Sequence, residues 1–392
     1  MMPASGQRRL LCTLLLAAFV ATGCWDRVSV DEVVIVLTLG LDAGSEPDTF
    51  KVTLEMVNPG GSTSTETGEV GSLPSAVIIS REGRTVLEAI QAIQRSVDRT
   101  IFLGQLQIVL YGEELARQGI AGTLDHLQRH GQFRRTMNIG VARESAESVM
   151  RSLSETFITL GLSLDALTIQ AQRTGFVATL FGDFIQYLVE PGSGAVLPVF
   201  DSNEADGSLT VVGTAAFHAD RLVGIFNTEE STGVALALGV SGPGLVLVGE
   251  ADWEGEQVLA SFGLRRIRSK VDVRLEDGEP KAAIEVRFEG VLAEQIGGGN
   301  FTTERDWSIL ESMQEQAVVN AIRAAVEKAQ EWKVDVFRIG SRLEQRFPHA
   351  WKQLEENWRD TFAEMEIEVL VESHLLETGL IKEPLFRKGR DG

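Results

Sequence analysis

Both cysteines of this 392-residue chain, Cys12 and Cys24, fall within its first 24 positions, and that placement limits how the rest can fold. From Trp25 onward there is no thiol for a disulfide, a zinc site or a redox couple, so stability has to come from packing. Hydrophobic residues make up 44% of the chain, enough for substantial cores, and the length suggests two or three domains. After residue 23 no apolar run approaches the roughly 20 residues that a membrane-spanning helix requires.

The N-terminal segment gives those two cysteines a context. Arg8-Arg9 precedes the apolar stretch Leu10 to Val20 (LLCTLLLAAFV), the charged and apolar regions of a secretory signal. Small residues at Ala21, Thr22 and Gly23 fit a signal-peptidase cleft, and Cys24 follows them directly. In a bacterial lipoprotein that thiol takes a diacylglycerol, cleavage falls between Gly23 and Cys24, and the new amino group is N-acylated. Residues 1–23 are thus expected to be a cleaved lipoprotein signal peptide, with Cys24 lipidated and Trp25 and Asp26 beside the membrane surface. Two acyl chains, at about 0.8 kcal/mol per buried CH2, anchor stably where one is marginal. The alternative is an ordinary secreted protein in which Cys24 merely follows the cleavage site.

Removal of residues 1–23 takes away Arg8 and Arg9 and no acid, leaving 34 basic and 56 acidic residues and a formal charge of −22. Phosphate backbones and anionic headgroups repel such a chain, which argues against nucleic acid as a partner and against a basic membrane-binding surface. Membrane residence would rest on the lipid and on protein partners.

Hydrophobic periodicity places the elements. Val33 to Leu41 is a nearly continuous apolar run and Lys51 to Val57 alternates, so the two read as paired strands across the turn residues Asp42 to Asp48. Asn58 to Gly71 is rich in Gly, Ser and Thr and reads as a loop. Thr85 and Glu88 form a capping-box pattern opening a helix with Val86, Leu87, Ile90, Ile93 and Val97 inward. Strands at Leu106 to Tyr111 and Asn138 to Ala142 alternate with helices at Glu113 to His130, broken near Gly119 and Gly122, and at Ser145 to Leu153. A further helix is expected over Asp165 to Tyr187. The polar stretch 201–208 (DSNEADGS) reads as a linker between an N-terminal domain, 24–200, with two possible subdomains, and a C-terminal domain, 209–385, followed by a tail, 386–392.

The second half opens with short strands at Leu209 to Phe217 and Arg221 to Phe226. Val271 to Glu289 carries the hairpin signal Asp277-Gly278, Glu304 to Trp332 a long amphipathic helix, and Trp351 to Phe362 a second helix with an aromatic stripe. A strand with Met365, Ile367, Val369 and Val371 on one side closes the pattern. The fold class expected is therefore α+β and multi-domain, with mixed or antiparallel sheets packed by amphipathic helices.

No catalytic pattern survives inspection. His126 and His130 share a helical spacing, but Leu127-Gln128-Arg129 between them supplies no carboxylate, so a solvated helix face is the simpler reading and no metal site is expected. Gly239 to Gly244 (GVSGPG) and Gly297 to Gly299 lack the lysine or spacing of a phosphate cradle. Ser231, Thr232 and Ser241 stand in no nucleophile elbow, and acids such as Asp252 and Glu254 are too common to identify a pair. Leu264 to Lys270 (LRRIRSK) is a basic knot that either docks an acidic partner or balances nearby acids, the second being preferred. Trp351, Trp358 and Phe362 read as core.

The run Cys24-Trp25-Asp26-Arg27, followed by Asp31-Glu32-Val33 and Gly40-Leu41-Asp42, resembles the Ger(x)C family, the lipoprotein C subunits of nutrient germinant receptors in spore formers. Later segments agree in order: Gly83 to Ile90, Tyr111 to Ala116 with Gly119-Ile120, Leu197-Pro198, Gly213 to Phe217 with Leu222 to Gly224, and Asp335 to Phe337 through Trp351 and Trp358. Ser29 departs from the pattern, which more often has an acid there. The resemblance implies an α+β fold of three domains and a non-catalytic subunit tethered to the outer face of the inner spore membrane. Its partners would be a multi-pass A subunit and a transporter-like B subunit, with no cofactor beyond the covalent lipid at Cys24 and no support for nutrient binding by this subunit. Two rivals come from other classes: a solute-binding lipoprotein of a transporter, which would show two doubly wound lobes and a hinge, and a tethered cell-wall hydrolase.

Overall fold

A computed structural model describes residue 29 and residues 32–57, 76–153, 160–203, 208–242, 244–253, 256–297 and 304–377. The first half forms a nine-stranded sheet. In chain order its strands are β1 (Val33–Ala43), β2 (Phe50–Val57), β3 (Val77–Gly83), β4 (Thr100–Phe102), β5 (Ile108–Gly112), β6 (Asn138–Ala142), β7 (Ala195–Asn203), β8 (Ser208–His218) and β9 (Arg221–Phe226). They lie in the order β3-β2-β1-β5-β6-β7-β8-β9, with β4 also beside β1. The centre, β1-β5-β6-β7, is parallel, and an antiparallel meander flanks it on each side.

Helices cover both faces of this sheet, which is why β5 and β6 are buried at every position rather than at alternate ones. On one face α1 (Val86–Gln94), α2 (Glu113–Gln118), α3 (Ala121–Arg129) and α6 (Phe181–Val189) pack over Val109, Tyr111, Ile139 and Val141. On the other, α4 (Ala146–Leu153) and α5 (Leu160–Arg173) cover Ile108, Leu110, Ala142 and Phe200.

The second half is a four-stranded sheet in the order β10 (Val246–Trp253), β11 (Glu256–Glu276), β12 (Glu279–Ile296), β13 (Ile367–Glu377). One face packs on α8 (Glu304–Glu331), followed by α9 (Ile339–Arg346), α10 (Pro348–Leu354), a 3-10 turn at Glu355–Asn357 and α11 (Trp358–Glu364). Between the halves runs α7 (Thr228–Leu238), buried from Ser231 to Ala237. Asn227 caps it in a reciprocal box with Glu230, and Gly239 ends it in the left-handed region at φ 67°. Val196, Ala216 and Phe226 of the first sheet share one hydrophobic cluster with Phe262 and Ile284 of the second and with Leu310 of α8.

Several expectations change. The linker expected at 201–208 begins and ends in a hairpin: Asp201, Ser202 and Asn203 pair with Thr210, Leu209 and Ser208, so β8 and β9 complete the first sheet instead of opening the second domain. Residues 204–207 lie outside the described residues, and the backbone on either side of them is laddered. The second sheet is mixed, within the fold class expected: β13 pairs parallel with β12 through the long helical crossover. The helix expected over 165 to 187 is two, α5 and α6, with Gly175 at φ 92° in the break between them. The helix expected over 351 to 362 is interrupted by the 3-10 turn, and α9 was not anticipated. Thr85 accepts from the Glu88 N–H at 3.1 Å, while the Glu88 carboxylate turns back to the Arg84 N–H at 2.9 Å, one residue short of a closed box. Leu87, expected inward, is 45% exposed.

Candidate functional site

The strand that follows the anchor motif leads to the first candidate surface. Gly23, Cys24, Trp25 and Asp26 lie outside the described residues, and β1 begins at Val33. At 3.3–3.6 Å per residue, nine residues reach at most about 32 Å, which bounds how far Cys24 can be from the sheet. β1 starts, β2 ends and β3 starts at the same pole, where Val34, Met56, Val77, Ile79 and Val97 line a groove of about 350 Å³ rimmed by Asp98 and Arg99. Val77 is 52% exposed there. The groove's wall is fixed by Gln94, which donates to the Arg99 carbonyl at 2.7 Å and accepts from the Ile101 N–H at 2.9 Å.

Buried titratable groups are the usual pointers to chemistry, and in this fold they do structural work. Asp42 accepts from the N–H groups of Ala146 and Glu147 at 2.7 and 2.9 Å, capping α4 from the end of β1. Glu55, fully buried on β2, accepts from the Thr38 hydroxyl at 2.5 Å and from the N–H groups of Leu160 and Gly161 at the start of α5. Asp335 accepts from Phe337 and Gly340 at 3.1 and 2.7 Å, the latter N–H belonging to α9. Burial raises all three carboxyls, Asp335 to about 6, and the backbone donors oppose that rise. A helix N-terminus is the partner each serves, and the acid beside Asp42, Glu147, is itself engaged by Lys51 and Arg151. Burial also acts on Glu147, but Arg151, Ser80 and Lys51 outweigh it and hold that carboxyl at about 2.

The remaining sequence candidates fall as follows. His126 and His130 stack at 5.7 Å with Phe133 beside them, and burial and the neighbouring His130 lower the His126 pKa. Among the described residues no His, Cys, Asp and Glu group could hold a metal ion. The basic knot lies inside β11 at a bulge between Arg265 and Arg268, with Arg266 on Glu289 at 2.7 Å, while Arg346 and Lys270 both reach Asp272. Gly239 is a helix cap, Gly297 is a bend, and Gly298 and Gly299 lie outside the described residues.

Trp351, Trp358 and Phe362 are buried, as read, but their place could not be foreseen: they join the two halves. The indoles meet at 5.3 Å, and the Trp358 N–H donates to the Gly192 carbonyl in the loop before β7 at 2.9 Å. Gly192 sits at φ 66°, and a β-carbon there would lie 2.5 Å from the Trp351 ring. Beside this joint a pocket of about 280 Å³ is lined by Glu190, Ser193, His218, Lys333, Trp358 and Arg359, among others.

With the architecture in view, comparison with known proteins is decisive. Residues 26–202 match the family model described as spore germination protein N-terminal domain, and residues 212–379 match spore germination B3/GerAC like, C-terminal. The chain belongs to the Ger(x)C family. It is 25% identical to YfkR of Bacillus subtilis (strain 168), covering 92% of this chain and 94% of that protein. To spore germination protein KC of the same organism it is 22% identical, covering 97% and 98%. The crystal structure of the GerBC protein superposes with a TM-score of 0.57 at 17% identity, over 86% of this chain and 97% of that one, and shows the same fold. The two Ger(x)C models divide at the β7–β8 hairpin, so β9 and most of β8 fall in the C-terminal model while completing the N-terminal sheet.

Proposed function

We propose that this Ger(x)C chain is the lipid-anchored, non-catalytic C subunit of a nutrient germinant receptor, held by acyl chains on Cys24 at the outer face of the inner spore membrane. It would stand there beside membrane A and B subunits. The observation that carries the reading is that two spore germination models together run from Asp26, two residues after Cys24, to residue 379. Three further features support it. Small residues precede Cys24, no described helix is long and apolar enough to cross a membrane, and the buried acids cap helices. The pole of β1, with its groove at Val34, Met56 and Val77, would face the membrane within about 32 Å of the lipid.

The test is dipicolinate release from spores of a deletion strain complemented with wild type or Cys24→Ala, across a nutrient panel. Restoration by wild type and not by Cys24→Ala is the expected result; full restoration by Cys24→Ala would remove the anchoring claim. The pocket of about 280 Å³ beside Trp358 gives the solute-binding reading a structural foothold. Calorimetry of the full chain with the same nutrients separates the two, since tight binding would favour a solute-binding lipoprotein.

A further inference from the structure

The second sheet has two edges, and the fold treats them differently. At β13 two successive outward N–H groups are occupied by carboxylates of α8: Ser373 donates to Glu315 and Leu375 to Glu311, each at 2.9 Å. Carboxylates in that position close the edge to any further strand. Among the described residues β10 has no strand on its outer side, and no carboxylate takes the N–H groups of its stretch Val246 to Glu250. A groove of about 520 Å³ runs along it instead: Leu247 and Gly249 face α8, where Ala317 and Ala321 form the wall, Val246, Val248 and Glu250 alternate to the solvent face, and Glu229 stands on the rim. Val246 is 53% and Val248 61% exposed. The groove exists because α8 presents alanine and α7 presents Thr228 and Thr232 where larger side chains would fill the gap.

We propose that the open edge of β10 is an interaction surface that takes an extended segment of a partner protein by strand addition, the segment alternating apolar and basic residues. The stretch Val246 to Glu250 offers about 17 Å of ladder, enough for a five-residue strand. The α8 side of the groove, Leu247 with Ala317 and Ala321, takes the apolar set of alternate side chains of such a strand, and the basic set falls on the face of Glu250. Among the described residues the charged ones lining the groove are Glu229 and Glu250, so lysine or arginine complements the rim and acids are disfavoured. That same charge argues against a second copy of this chain, since pairing two β10 edges would bring both rims together in a protein of formal charge −20. The proposal rests on the shape and charge of this edge and stands apart from the receptor reading.

The probe is the synthetic heptapeptide Lys-Val-Lys-Val-Lys-Val-Lys added to the full chain, with Glu-Val-Glu-Val-Glu-Val-Glu as control. Binding is read by fluorescence anisotropy, and its location by amide hydrogen exchange. The lysine peptide is expected to slow exchange at Val246 to Glu250 about tenfold and the glutamate peptide to leave it unchanged. Glu250→Lys, which alters charge alone, and Ala317→Leu, which fills the groove, are each expected to weaken binding about tenfold. Glu250→Lys lies on the exposed rim, so it serves as the test even if Ala317→Leu perturbs packing. Slowing spread over the acidic surface, or affinity indifferent to Glu250→Lys, would overturn the proposal. So would slowing at β10 without peptide that rises with protein concentration alongside a sedimenting dimer, which would assign the edge to a second copy.

Discussion

The two sheets solve the same packing problem in opposite ways. The first is covered on both faces, so β5 and β6 are buried at every position and the buried polar groups must be satisfied by the chain itself, as Asp42 and Glu55 are by helix N-termini. The second has one covered face, so β13 alternates with glutamates outward, and its edges are left to be guarded or used. A two-sided sheet buys its stability from internal completeness; a one-sided sheet keeps a surface available. Joining them is α7, whose Gly233 lies against the Ala321 carbonyl of α8.

That joint gives the largest expected effect. A β-carbon at Gly233 collides with the backbone of α8, which cannot move without disturbing the core shared by both sheets. Gly233→Val is expected to cost more than about 4 kcal/mol and to destabilise both halves in one transition. Chemical denaturation followed by tryptophan fluorescence and by hydrogen exchange in β5 checks it. Loss confined to the second sheet would show the halves to be independent.

Asp335 sharpens the comparison by pH. Its folded-state carboxyl sits at about 6 against an ordinary 3.8, so between those values the folded chain holds a proton that the unfolded chain has released. Stability contributed by this group is therefore greatest below about pH 4, falls as pH rises toward 6, and is flat above it; the whole change is about 3 kcal/mol. Asp335→Asn abolishes that proton linkage. In urea unfolding, the stability at pH 4 minus that at pH 6.5 is expected to be lower by about 2 kcal/mol in the variant than in wild type, most of the full change. Equal differences would mean that Asp335 titrates normally.

Within the first sheet alone, Glu55→Gln replaces a carboxylate that accepts three hydrogen bonds by an amide that can accept on only one atom. It leaves at least one donor of the buried set formed by Thr38, Leu160 and Gly161 unsatisfied. A loss of about 2 kcal/mol is expected, with amide protection falling first in α5. Unchanged exchange in α5 would mean that the cap contributes nothing beyond packing.

What the sequence made legible follows from the same contrast. Alternation and apolar runs located β1, β2, the β11–β12 hairpin, α8 and β13, because each signals burial locally. The family could be read from the ordered segments beginning at Cys24. Hidden were features that depend on partners far along the chain. The pairing of Asn203 with Ser208 turned a polar linker into a hairpin, and α11 brought Trp358 to Gly192. The guarded edge was equally illegible, since Glu311 and Glu315 look like any solvated helix face until Leu375 and Ser373 arrive beside them. A buried acid capping a helix more than 100 positions away leaves no local signature either, as with Glu55 and Gly161.

The smallest effect concerns the basic knot of the one-sided sheet. Arg266 is held at φ 50° by the bulge in β11, a conformation that costs a non-glycine residue roughly 1–2 kcal/mol, and its guanidinium meets Glu289 at 2.7 Å on an exposed face. An exposed ion pair contributes about 0–1 kcal/mol. Arg266→Ala removes the pair and keeps the strained backbone, so a loss of up to about 1 kcal/mol is expected. Arg266→Gly removes the pair and relieves the strain, offset in part by the greater freedom of glycine in the unfolded chain, and is expected to fall near wild type. Paired urea titrations at low and high salt resolve the two contributions, because salt screens the ion pair and leaves the backbone preference untouched. An alanine variant as stable as the glycine variant would place no strain at the bulge. A loss well beyond 1 kcal/mol in both would mean that the knot makes a contact more consequential than the pair with Glu289, reopening the partner-docking reading of this segment.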